Sequence, residues 1–154
     1  MTNSDLMTEF IHVYMSSLKH LEKLISQPTS QFGLSFEQWL IMTAVVKNNQ
    51  NQPLTLTRIA AERGVTKGAI ARQLKPLFEQ GYLNQVKDDQ DHRRILLNLT
   101  SEGQRVESMI TQRVNSRFNG WLETYGLFEG QTLLNMLCRL DMLIVQPELN
   151  KEKH

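Results

Sequence analysis

The stretch Asp91-His92-Arg93-Arg94-Ile95-Leu96-Leu97-Asn98-Leu99-Thr100-Ser101 constrains the fold of this chain more than any other, because it joins an exposed charged turn to a strand and then to a helix cap. The preceding residues Asp88, Asp89 and Gln90 extend the turn, which is too polar to bury. Ile95, Leu96 and Leu97 have strand character, and Thr100 carries the hydroxyl that a helix start uses. The segment reads as a β-hairpin wing, with strands at about 82–86 and 95–98. Two helical segments separated by a tight turn precede it, so the local order is helix, turn, helix, hairpin.

Apolar periodicity and cap chemistry supply the remaining elements. Leu6, Phe10, Val13, Met15, Leu18, Leu21, Leu24 and Ile25 recur at intervals of three and four, which predicts a long amphipathic helix from 5 to about 26, ended by Pro28. Ser35 with Gln38 forms a capping box for a second helix reaching about 47, and 48–53 reads as a loop. A short helix over about 57–63 has Thr55 or its neighbourhood as cap, Ile59 and Ala60 facing inward, and Gly64 as a left-handed terminator. Thr66 caps the next helix, which runs to Gln80 and is closed by Gly81. With only Gly64-Val65-Thr66 between them, these two helices must cross steeply. After Thr100 a helix extends to about 123 and breaks at Tyr125-Gly126. A last helix over about 128–145 carries the stripe Leu133, Leu137, Leu140 and Ile144 before Pro147 stops it.

At 154 residues and 40% hydrophobic, the chain has enough apolar material for one core and is short for a two-domain enzyme, so a single domain over 1–154 is expected. It has no glycine-rich phosphate loop, nucleophile elbow, paired carboxylate in an apolar setting or metal cluster, which argues against catalysis. No eighteen-residue apolar run or signal-like start occurs, so a cytoplasmic protein without membrane association is expected. Cys138, within an apolar stretch, is expected to be a buried structural thiol. His12 and His20 lie roughly 12 Å apart along a helix, too far to share an ion, and neither a metal nor a cofactor is expected.

The net charge of +1 argues for no partner, but its distribution is informative. Residues 58–94 hold eight basic against five acidic side chains, and the remainder holds nine against eleven. With Ile70, Leu74 and Leu77 of the fourth helix set inward, a turn of 100° per residue places Gly68, Ala71, Arg72 and Lys75 on the opposite side. Gly68 and Ala71 would allow close approach to a DNA groove, Arg72 can fork onto guanine, and Lys75 can meet phosphate. Amides near Thr66 and Lys67 form a phosphate site at the helix start, and Arg58 adds a further cation. Arg93 and Arg94 at the wing tip suit the negative potential of a minor groove. Asp91 is assigned to orient an arginine, most simply Arg93. An ordinary solvated helix face is the bland alternative. The rival function is a winged helix that binds protein and no longer reads DNA.

The chain resembles the MarR family of transcription regulators (the multiple antibiotic resistance regulator type). The resemblance is carried by Asp91-x-Arg93, five residues, then Leu99-Thr100 and Glu102-Gly103. Leu34-Ser35-Phe36-Glu37-Gln38-Trp39, Ile59-Ala60, Gly64-Val65-Thr66, Leu77 and Gly81-Tyr82-Leu83 support it. It implies a mainly α fold with a small β-hairpin, in which a winged helix-turn-helix over about 34–100 lies between dimerisation helices over about 5–30 and 101–147. It further implies a homodimer on a pseudo-palindromic double-stranded DNA operator, acting as a repressor released by a small phenolic or lipophilic effector. Tyr14, Met15, Trp39 and Met42 are the candidate effector residues, against the alternative that they are core. Peroxide-sensing members use a cysteine in the first helix, which this chain lacks, so Cys138 does not inherit that role.

Overall fold

The computed structural model describes residues 2–48 and 54–152, with only the backbone of Leu18. The loop expected over 48–53 lies outside the described residues apart from Asn48, as does the side chain of Leu18. Two compact units form, Met1–Val114 and Asn115–His154.

The first unit opens with α1 (Asn3–Ser30). The Thr2 hydroxyl accepts from the Asp5 amide while the Asp5 carboxylate accepts from the Thr2 amide. These bonds, the one from the Thr2 backbone foremost, hold the Asp5 carboxyl below the usual carboxylate range. Pro28 does not end α1 as expected. Its missing N–H forfeits only the bond to the Leu24 carbonyl, and the buried ring packs while the helix continues to Ser30. Gly33 supplies the stop. At φ +69 it donates to the Ser30 carbonyl, and Leu34 donates back to Thr29.

Helix α2 (Phe36–Asn48) starts at the predicted box: Gln38 N donates to Ser35 Oγ, and Ser35 N donates to Gln38 Oε1. Helices α3 (Leu56–Glu62) and α4 (Lys67–Glu79) begin at Thr55 and Thr66, whose hydroxyls accept from Arg58 N and Ala69 N. Gly64 and Gly81 adopt φ +63 and +70 at the helix ends, where side chains with a Cβ are disfavoured. Strands β1 (Leu83–Lys87) and β2 (Ile95–Leu99) pair antiparallel, with Leu83 opposite Leu99 and Lys87 opposite Ile95. Leu97 N also donates to the Leu54 carbonyl, which ties the wing to the start of α3. Thr100 N donates to Tyr82 O, and its hydroxyl donates to Gly81 O and accepts from Gly103 N at the start of α5 (Ser101–Tyr125). Ile41 and Met42 of α2, Ile59 of α3, Leu74 and Leu77 of α4, Leu97 of β2 and Ile110 of α5 form one buried core.

The second unit contains the remainder of α5, α6 (Leu127–Leu140), a π-helical turn (Asp141–Val145) and α7 (Gln146–Lys151). Gly126, at φ +105, separates α5 from α6. Pro147 does not stop the last helix. Gln146 N reaches five residues back to Asp141 O, and this wider turn delivers Pro147 to the start of α7, where a missing N–H costs least. Cys138 is exposed, contrary to expectation, because α6 buries none of its own residues within the chain. Among the described residues no helix is long and apolar enough to cross a membrane.

Candidate nucleic-acid interface

Helix α4 is positioned by its apolar face. Ile70, Leu74 and Leu77 are buried, which leaves Gly68, Ala71, Arg72 and Lys75 in solvent as the periodicity requires. Thr66 and Lys67 at its start are exposed too. The hydroxyl of Thr66 satisfies the Ala69 amide, so the helix presents its N-terminal partial positive charge to solvent beside Lys67. Lys75 lies 3.8 Å from Glu79, a pair so exposed that its attraction is small and readily exchanged for another anion.

Arg58 is placed differently from the other cations. Its Nε donates to Glu62 Oε1 at 2.7 Å and its Nη2 to Asn48 Oδ1 at 3.4 Å, so the guanidinium joins α3 to the end of α2. Arg63 likewise reaches Glu37 of α2 at 2.8 Å. Ser35 Oγ bonds Gln73 Oε1, and Gln38 Nε2 donates to Gln73 O, which fastens the start of α2 to α4. These ties between helices escaped sequence reasoning, because the partners are far apart in the chain and belong to no short motif.

The wing tip is ordered by carboxylates. Gln90 N donates to Asp88 Oδ1, Arg93 N to Asp91 Oδ1, and Arg94 N to Asp91 O. Asp91 therefore acts on the backbone of Arg93, where the sequence suggested a hold on an arginine side chain. The arginine with a carboxylate partner is Arg94, 3.5 Å from Asp88. Sequence reasoning overlooked Asp88, although the register that sets Lys87 opposite Ile95 also brings the following residue level with Arg94. Arg93 is exposed, beside the exposed His92. If Asp91 holds the turn, Asp91→Ala weakens duplex binding even though it removes a negative charge, because the unanchored loop loses more entropy on docking. Titration against Arg93→Ala and Arg94→Ala at two salt concentrations checks this; tighter binding by Asp91→Ala would contradict it.

The four candidate effector residues do not share a cleft. Trp39 and Met42 are core residues, at 7% and 0% exposure, and Trp39 Nε1 donates to Thr111 Oγ1. Tyr14 and Met15 lie on the exposed side of α1, where Tyr14 stacks on Phe10 at 6.0 Å. A cleft of about 460 Å³ opens elsewhere, lined by Glu37, Glu62, Arg63, Val65, Ala69, Ile70 and Gln73. Among the described residues no group of three or more His, Cys, Asp or Glu side chains could hold a metal.

The family model described as "Transcriptional regulator SarA/Rot" matches residues 23–110, which span α2 to the wing together with the flanking ends of α1 and α5. The chain belongs to the SarA/Rot family of transcriptional regulators. Among relatives of this SarA/Rot protein, the HTH-type transcriptional regulator SarZ of Staphylococcus epidermidis is 20% identical over 117 residues, 76% of this chain and 77% of SarZ. The HTH-type transcriptional regulator FarR of Neisseria gonorrhoeae is 25% identical over 111 residues, 72% and 74% of the two chains. Staphylococcus aureus MarR, solved with salicylate and kanamycin, superposes with a TM-score of 0.75 at 21% identity, covering 92% of this chain and 93% of its own. Staphylococcus aureus MepR, solved in complex with DNA, gives 0.68 at 19% identity over 90% and 94%. The fold of this SarA/Rot family member is thus the winged helix of MarR-type regulators, as the sequence resemblance implied.

Proposed function

We propose that this protein is a homodimeric, sequence-specific double-stranded DNA-binding regulator. In this reading the exposed face of α4 enters the major groove and the wing tip enters an adjacent minor groove. The observation that carries it is the division of α4 into a fully buried apolar side and an exposed side of small and basic residues, Gly68, Ala71, Arg72 and Lys75, directly behind an ordered wing. Gly68 and Ala71 put no bulk between the helix backbone and base edges, so Arg72 can reach a guanine with both arms. Lys67, Lys75 and the α4 amides serve phosphate, and Arg93 and Arg94 serve the narrow groove. Arg58 contributes only by exchanging Glu62 for phosphate. A solved MepR–DNA complex of the same fold supports the docking mode.

Homodimerisation is supported by the apolar side chains that the chain leaves uncovered: Phe10 and Ile11 of α1, and Leu133, Leu137, Leu140 and Ile144 farther on. So large an unpartnered apolar surface is rare on a monomer. Two reading heads related by a two-fold axis would select a pseudo-palindromic operator. A dimer seated on such an operator excludes polymerase, so repression is the proposed sense of regulation. Release by a small effector draws its support from MarR, the solved relative that holds salicylate and kanamycin. A cytoplasmic location follows from a DNA target.

Arg72→Ala tests the assignment. It should cost about 1–3 kcal/mol on a duplex selected by the wild type and far less on a scrambled one, because a base contact is lost only where the right base is present. Competitive titration of both duplexes measures it. Equal losses on the two would assign Arg72 to phosphate, and no loss on either would favour a winged helix that binds protein.

A further inference from the structure

Glu107 is the one charged side chain among the described residues that is buried, at 8% exposure, and its contacts are unusual for a carboxylate in that position. Thr111 Oγ1 lies 2.7 Å from Glu107 Oε1 and Thr43 Oγ1 lies 3.2 Å from the same oxygen. Among the described residues no cation pairs with it. Removing a carboxylate from water without a counter-charge is costly unless hydroxyls or amides replace the lost hydration, and here Thr111 does so, with the Thr43 hydroxyl in reach. The chain of donors is directional. Trp39 Nε1 can only donate, and it donates to Thr111 Oγ1; Thr111 must then spend its single proton on Glu107. Thr43 is 3.1 Å from the Trp39 carbonyl as well, so its proton lies between that carbonyl and the carboxylate.

We infer that Glu107 is a positioning residue for DNA readout: its carboxylate locks α2 to α5, and through α2 it fixes the recognition helix α4 relative to the wing. This rests on the DNA-reading function proposed above. Helix α2 is bonded on both sides. Thr43 and Trp39 face the Glu107 network, while Ser35 and Gln38 hold Gln73 of α4 and Glu37 holds Arg63. The wing is bonded to α5 through Thr100, one residue before that helix begins. Thr100 also holds Gly81 O at the end of α4, so a slip of α5 along α2 would carry the wing and draw that end of α4 with it while Gln73 stayed with α2, tilting the recognition helix against the wing. Apolar packing of Ile41, Val106 and Ile110 resists separation but tolerates sliding, because dispersion contacts lack direction. Charge-assisted hydrogen bonds are directional and fix the register.

Two readouts test this, one without DNA. In a Cys138→Ser background, spin labels at Arg72→Cys and His92→Cys, diluted with unlabelled chain, report the distance from recognition helix to wing. Thr111→Val and Glu107→Leu should shift or broaden that distribution, and Glu107→Gln, which keeps an acceptor oxygen, should restore it. On duplexes, Thr111→Val should lower the preference for the selected site over a scrambled one by roughly 2- to 30-fold, with scrambled binding unchanged. An unchanged label distribution in variants that melt cooperatively would overturn the inference, as would equal losses on both duplexes. If the wild type preferred no duplex while the labels moved as described, the positioning would stand and the DNA reading would fall.

Discussion

Leu137→Asp should convert a dimer of about twice the 17.9 kDa chain into a monomer and lower affinity for a selected operator by roughly a thousandfold. Leu137 is half exposed in the isolated chain, between the similarly exposed Leu133 and Leu140. A carboxylate there costs the monomer little. In the dimer the same carboxylate would be enclosed by leucines without a cation or donor, a penalty of several kcal/mol counted twice by symmetry. The loss on DNA exceeds that of any single contact, because the second head binds from a tethered position and contributes its full contact energy at little further entropic cost. Sedimentation at micromolar concentration and titration of the duplex measure the two effects. A dimer that persisted, or a monomer that kept full affinity for a two-fold site, would contradict the role given to this stripe.

Gly103→Ala should be the most damaging small substitution in the reading head. A Cβ at Gly103 would stand 2.0 Å from Tyr82 O and 2.8 Å from Tyr82 C. Those atoms cannot give way cheaply, since Tyr82 N donates to Leu77 O and Tyr82 O accepts from Thr100 N. The wing and α5 would have to part, at about 3 kcal/mol, the upper end of ordinary overpacking. That corresponds to a melting midpoint lowered by roughly 6–12 °C for a chain of this size. Gly120, also in α5, has nothing within 4 Å of the place a methyl group would take, and Gly120→Ala should stabilise by up to about 1 kcal/mol. Thermal melts of both variants check the contrast; a Gly103→Ala midpoint within about two or three degrees of wild type, on the order of measurement error, would show that the approach of α5 to the wing is not close.

The features legible in the sequence were those whose physics is local. Thr55, Thr66, Thr100 and the Ser35–Gln38 pair cap helices because a hydroxyl or amide needs only the amide three residues away. The buried side of α4 follows from the period of one helix. Prolines misled at both ends. Pro28 and Pro147 each remove one donor, and whether a helix survives that depends on burial in the first case and on a π turn in the second, neither visible in composition. The run around Cys138 is apolar, but apolarity does not say whether the cover comes from the same chain or another copy. Trp39 and Met42 had the chemistry of a pocket wall and the placement of core. Glu107 and Thr43 are 64 positions apart, so a network of single hydrogen bonds between them leaves no motif.

Selection of duplexes from a random pool by the wild-type protein tests the central claim most directly. The account predicts enrichment of a pseudo-palindrome whose half-sites are centred about one helical turn apart, roughly 10 base pairs or a multiple of it, flanked by A·T-rich steps where the wings lie. Retention of the starting pool's composition after several rounds, or enrichment of a single half-site without symmetry, would contradict a two-headed reader built on α4 and the wing.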